Sequence, residues 1–127
     1  MTHKVYRLEH SWKKSYQEAF FGLGPYDTEG LNIISRYTNH NNMEHPCIVQ
    51  DKISAHPEWD EKCHLACPSL DLLYSWFDVV LEPLIDADWQ IVEYETVNLI
   101  LGESGLQCAI KPELVLHKKV LDWKEAA

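Results

Sequence analysis

The sequence predicts an α+β domain: a small, mostly antiparallel sheet or pair of sheets with two or three helices. Three observations carry that expectation. Residues Trp89–Val97 are rich in β-branched and aromatic types, which suit a strand. Leu99–Leu101 and Leu106–Ile110 flank Gly102-Glu103-Ser104-Gly105 like the arms of a hairpin. From Ser69 onward, apolar residues recur at helical spacing. No internal repeat, linker or low-complexity segment interrupts the 127 residues, so 1–127 reads as a single compact domain. A chain of that length buries roughly two thirds of its unfolded surface in one core.

The elements follow in order along the chain. Lys4–Glu9, with Val5, Tyr6 and Leu8, reads as a short first strand. Trp12, Tyr16, Ala19 and Phe20 fit one face of a short helix capped by Ser11, and Gly22-Leu23-Gly24-Pro25 ends it. Gly24-Pro25-Tyr26-Asp27 has the composition of a turn, because proline presets φ and glycine admits conformations closed to other residues. Leu31–Tyr37 suits a helix or a strand equally, since short apolar runs are not resolved by periodicity. Thr38–Asn42 is loop chemistry, and the stretch from there through Cys67 reads as one long irregular connection. The helix from Ser69 has Asp71 in its positively polarised first turn and Leu70, Leu73, Trp76, Phe77, Val80 and Leu84 on its apolar side. Pro83 is expected to end or kink it. After the Asp86–Asp88 turn come the strand and hairpin named above. Pro112 then favours a last helix from Glu113 to about Lys124, although Leu114-Val115-Leu116 also suits a strand.

Composition excludes several classes. Forty-six per cent apolar residues and five Trp argue against disorder. No apolar run approaches the ~20 residues that cross a bilayer, and the start Met1-Thr2-His3-Lys4-Val5 lacks the apolar core of an export signal, so a cytoplasmic protein without membrane contact is expected. The net charge is −9, and from Glu58 to Glu103 Lys62 is the one base among the acids. Such a field repels phosphate backbones and makes direct nucleic-acid binding unfavourable. It reads either as a solvated acidic surface or as one that docks onto a basic groove by imitating a nucleic acid.

Residues that could carry chemistry fall into three groups. His45, Cys47, His56, Cys63, His64 and Cys67 supply zinc-ligand types, but the three-residue gap between Cys63 and Cys67 lies at the edge of the usual pattern and no second tight pair follows at finger distance. No metal site is therefore assigned, and reduced, unligated thiols are the expectation for the cysteines. Arg7, His10, Tyr26, His45 and Asp51 offer a cation, proton carriers, a stacking face and a carboxylate suited to an anionic or nucleotide ligand. Glu93 and Glu95 share one face of their strand while Tyr94 takes the other. Paired carboxylates can serve acid–base work, and an exposed sheet face gives the same pattern. There is no P-loop, nucleophile elbow, dinucleotide fingerprint or zinc-protease helix.

Separated pieces of the chain, Val5-Tyr6-Arg7-Leu8-Glu9-His10, Gly22-Leu23-Gly24-Pro25-Tyr26, His45-Pro46 with Asp51, and Ser69-Leu70 through Trp76-Phe77 with Gly102 and Gln107, together resemble a family of small, mostly phage-encoded proteins. That family is similar to a minimal ADP-ribosyltransferase fold, in which a cleft between two small sheets holds NAD. The resemblance implies a domain that modifies or binds a host protein, with NAD as cosubstrate where the cleft is competent. It implies that Arg7 grips the pyrophosphate or ribose, that Tyr26 or Tyr94 stacks on nicotinamide, and that Glu95 or Gln107 orients the ribose. Gln107 departs from the late-strand glutamate that such transferases use, because a neutral amide cannot balance a cationic transition state. The non-enzymatic alternative is an acidic inhibitor or adaptor that occupies a basic groove of a host defence protein.

Overall fold

A computed structural model describes residues 1–11, 21, 24, 28–37 and 50–122. The architecture is α+β, with two three-stranded antiparallel sheets and a helical layer. The first sheet is formed by β1 (His3–His10), β3 (Trp89–Thr96) and β6 (Val115–Leu121), in the order β1-β3-β6. The second has β2 (His64–Ala66), β5 (Cys108–Ile110) and β4 (Ile100–Leu101), in the order β2-β5-β4. Among the described residues an isolated bridge joins them, Tyr6 exchanging backbone hydrogen bonds of 2.9 and 2.8 Å with Cys67 just after β2.

Strand alternation divides the first sheet into two faces. Leu8, Trp89 and Ile91 face the helices α1 (Thr28–Tyr37), α2 (Leu70–Phe77) and α3 (Leu81–Asp86), packing with Ile34, Leu73, Phe77 and Leu84. Val5, Val92 and Tyr94 face the second sheet, where they meet Ala66, Cys108 and Ile110. The far side of the second sheet is covered by the segment 50–63, with Ile53 packed on Ile100 and Ala109. The layers are therefore helices, first sheet, second sheet and covering segment.

Local chemistry explains most elements. Ser69 caps α2, its hydroxyl accepting the Leu72 N–H at 3.2 Å, and Leu73 and Phe77 recur four residues apart on the buried side. The break after α2 falls at Asp78, which adopts a φ of 42°, and a short 3-10 turn over Asp78–Val80 leads into α3. Pro83 lies in the first turn of α3, where a missing N–H costs nothing, so it neither ends nor kinks the helix. The β4–β5 pair forms as expected around Gly102–Gly105, and Gly105 takes a φ of 76° that suits glycine.

Two further expectations are corrected. The last helix from Glu113 does not form, and the strand alternative around Leu114–Leu116 is the one realised: Pro112 opens only a 3-10 turn over Pro112–Leu114, and Val115–Leu121 continues as β6. Pairing with the otherwise open edge of β3 overrides the local preference there. The stretch through Cys67 is also not wholly irregular, since His64–Ala66 pairs with β5. Leu31–Tyr37 resolves as helix, within α1. The helix expected over residues 12–20, the loop at 38–42 and all but Gly24 of the Gly24–Asp27 turn lie outside the described residues.

Candidate functional site

On β1, Val5, Arg7 and Glu9 share the face that looks toward the second sheet, and register sets Val5 opposite Tyr94 and Tyr94 opposite Lys118. The result is a buried polar knot between the sheets. The Glu9 carboxylate, 1% exposed, accepts the Arg7 Nε–H at 2.8 Å and the Tyr94 hydroxyl at 2.6 Å, with Lys118 Nζ at 3.7 Å. Arg7 Nη1 donates across to the Leu65 carbonyl on β2, so one guanidinium ties both sheets. Phe21 stacks on His64 at 3.9 Å and on Tyr94 at 4.7 Å, and its ring lies 5.6 Å from the Arg7 guanidinium carbon. Burial, followed by the Glu9 charge, pushes the Tyr94 hydroxyl well above its ordinary range and keeps it a donor.

The residues singled out from the sequence are spread over four places. Arg7 and Tyr94 come together in the knot. His10 lies on the opposite face of β1, edge-on to Trp89 at 4.7 Å. Glu95 also faces away from Tyr94, half-buried, accepting the Thr2 hydroxyl at 3.3 Å. Asp51 and Gln107 meet at the β4–β5 turn: the Asp51 carboxylate accepts the Ser104 N–H at 2.6 Å and hydroxyl at 2.9 Å, while the Gln107 carbonyl accepts the Gly102 N–H at 2.9 Å. A Cβ on Gly102 would stand 2.0 Å from Asp51 Oδ2, so this close approach requires glycine. Asp51 therefore acts locally as a clasp on the hairpin. Tyr26 and His45 lie outside the described residues.

Of the zinc-type residues, His45 and Cys47 lie outside the described residues. His56 is exposed, its Nδ1 accepting the Glu58 N–H at 3.0 Å, and Cys63 is half-buried over the second sheet. His64 and Cys67 are buried, and burial lifts the Cys67 thiol from 9.0 to about 12 despite nearby Arg7. Among the described residues, no group of three or more His, Cys, Asp or Glu could hold a metal ion. No described helix is long and apolar enough to cross a membrane.

The polar knot was not assembled from the sequence. Glu9 enters the sequence reading only as the end of the expected first strand and as part of a motif, Phe21 follows the helix expected over 12–20, and Lys118 falls in the last helix, where the fold has a strand. The signal that could have found Glu9 is alternation, since Val5, Arg7 and Glu9 set two opposite charges beside an apolar residue on one face.

The model of the family described as Bacteriophage T4 Y00F protein matches residues 1–123. The chain belongs to that family. This bears out a phage-type protein and leaves the ADP-ribosyltransferase likeness to the proposals below. No curated protein and no solved structure matches.

Proposed function

We propose that this phage protein acts by binding a host protein through the acidic surface of its helical layer. What supports the reading is the exposure of Asp71, Asp78, Glu82, Asp86 and Asp88 along α2, α3 and their flanking turns, in a chain without Lys or Arg between Cys63 and Ile110. A partner with a basic groove, of the kind with which defence proteins grip nucleic acid, complements that field and associates faster at low salt. The Arg7–Glu9–Tyr94–Lys118 knot then serves to hold the two sheets together. The test is capture from host lysate, identification of the partner by mass spectrometry, and association kinetics of the purified pair across salt. Combined Asp86→Lys and Asp88→Lys substitution is expected to slow association at least about tenfold at low salt. A partner bound equally fast by that variant, at all salt concentrations, would count against the reading.

A second reading, ADP-ribosyl transfer with NAD as cosubstrate, draws support from the meeting of Arg7, Tyr94 and His64 between two small sheets. It requires Phe21 to leave its stack and Arg7 to release Glu9 and Leu65, and Glu95 to act from the other face. Saturation-transfer NMR with NAD and intact-mass analysis of host proteins test it. No transfer signal and no added ADP-ribose would remove it.

A further inference from the structure

β6 is the outer strand of the first sheet, with β3 on one side and no strand on the other among the described residues. An edge strand presents backbone donors and acceptors spaced for another strand. The chemistry of this edge is selective. His117, Lys118 and Lys119 follow one another in a chain whose net charge is −9. Leu116 and Val120, 52% and 49% exposed, lie on either side of this basic stretch along the strand. The opposite neighbour shows what such a strand accepts: on β3, Glu93 stands across from Lys119 and Glu95 across from His117.

We infer that the edge of β6 to which no described strand pairs takes up an extended acidic segment of a partner protein as an added antiparallel strand. Carboxylates would stand across from the exposed His117 and Lys119, while Lys118 keeps to Glu9, with apolar residues over Leu116 and Val120. Main-chain hydrogen bonds supply the affinity and the alternating side chains the selectivity. A second copy of the chain fits poorly: two β6 strands paired about Lys118 set Lys118 against Lys118 and His117 against Lys119, and like charges directly opposite destabilise a pair. Edge lysines are an ordinary guard against such self-pairing. The charges that repel a like strand attract an acidic one. This surface is separate from the acidic helical layer, and the inference stands whether or not that layer binds a partner.

The test titrates the isotope-labelled full chain with two capped peptides, Thr-Val-Glu-Glu-Glu-Val-Thr and its counterpart with Lys in place of Glu. The acidic peptide is expected to shift the Val115–Leu121 amides and slow their exchange, with binding that weakens at least about threefold as salt rises from low to physiological strength. Lys119→Glu should abolish that response. Lys119→Thr, which keeps a good strand former without the charge, should weaken it at least about threefold. Asp86→Lys should leave the response in place. The inference is overturned by equal responses to both peptides, by shifts confined to other elements, by no response at about millimolar peptide, or by a dimer in solution whose interface protects β6.

Discussion

Replacing Tyr94 by Phe tests whether the knot between the sheets holds the fold. The substitution removes one oxygen, the donor that lies 2.6 Å from Glu9, and leaves the ring stacked on Phe21. Glu9 is 1% exposed and Tyr94 0%, so no bulk water reaches the carboxylate to replace the lost bond. Hydrogen bonds to charged groups contribute about 1.5–3 kcal/mol, and an abandoned buried acceptor adds its desolvation cost. Arg7 and Lys118 remain near the carboxylate and limit the loss, so a destabilisation of about 2 kcal/mol is expected, or about 7 °C in Tm for a chain of this size. The five tryptophans allow urea unfolding to be followed by fluorescence. Glu9→Gln and the double variant close the cycle, with a coupling of at least about 1 kcal/mol expected between the two sites. A Tyr94→Phe protein within about 0.5 kcal/mol of the parent, or additive losses in the cycle, would refute the reasoning.

The other expectations concern single features. Gly102→Ala forces a Cβ to within 2.0 Å of Asp51 Oδ2, displacing the clasp on Ser104; a loss of about 2–4 kcal/mol is expected in urea unfolding, partly recovered when Asp51 is also replaced by Ala. Asp78 holds a φ of 42° at the α2 break, so Asp78→Gly should relieve strain and raise the urea midpoint by the equivalent of about 1 kcal/mol. Cys67 stays protonated in the fold to about pH 12 while the unfolded thiol ionises from 9.0, so its contribution is intact below pH 9 and is lost as pH rises toward 12. Cys67→Ala should flatten the alkaline limb of a stability–pH curve, and an unchanged limb would show that the thiol is not what resists deprotonation.

Where signals are local, the sequence was informative. Ser69 caps a helix because a hydroxyl there meets an N–H three residues on, and Trp89–Thr96 is a strand because its residues suit a pleated, half-buried surface. The hairpin over Gly102–Gly105 follows from glycines that the turn and Asp51 both require. Elements whose form depends on a distant partner stay ambiguous or hidden in the sequence. β6 contains Leu and Lys residues at home in a helix, and only the edge of β3 makes them a strand. β2 is three residues long, and its identity comes from β5, more than forty positions later.

The candidate site was half legible for the same reason. Arg7 and Tyr94 stand out as residue types, and alternation alone separates Tyr94 from Glu95. Only register decides which of them shares a face with Arg7, and register is set by the core. Sliding β1 by one residue along β3 would turn Val5, now 0% exposed, and Leu8, now 2% exposed, to the wrong layers, stripping apolar contacts from both cores at once. Burial on the two faces thus locks Val5 opposite Tyr94, and that pairing carries Arg7 and Glu9 to the tyrosine hydroxyl and leaves Glu95 outside. Any chemistry assigned to this chain has to work with Arg7 and Glu95 on opposite sides of a sheet, because separating them is what the hydrophobic pattern of β1 and β3 accomplishes.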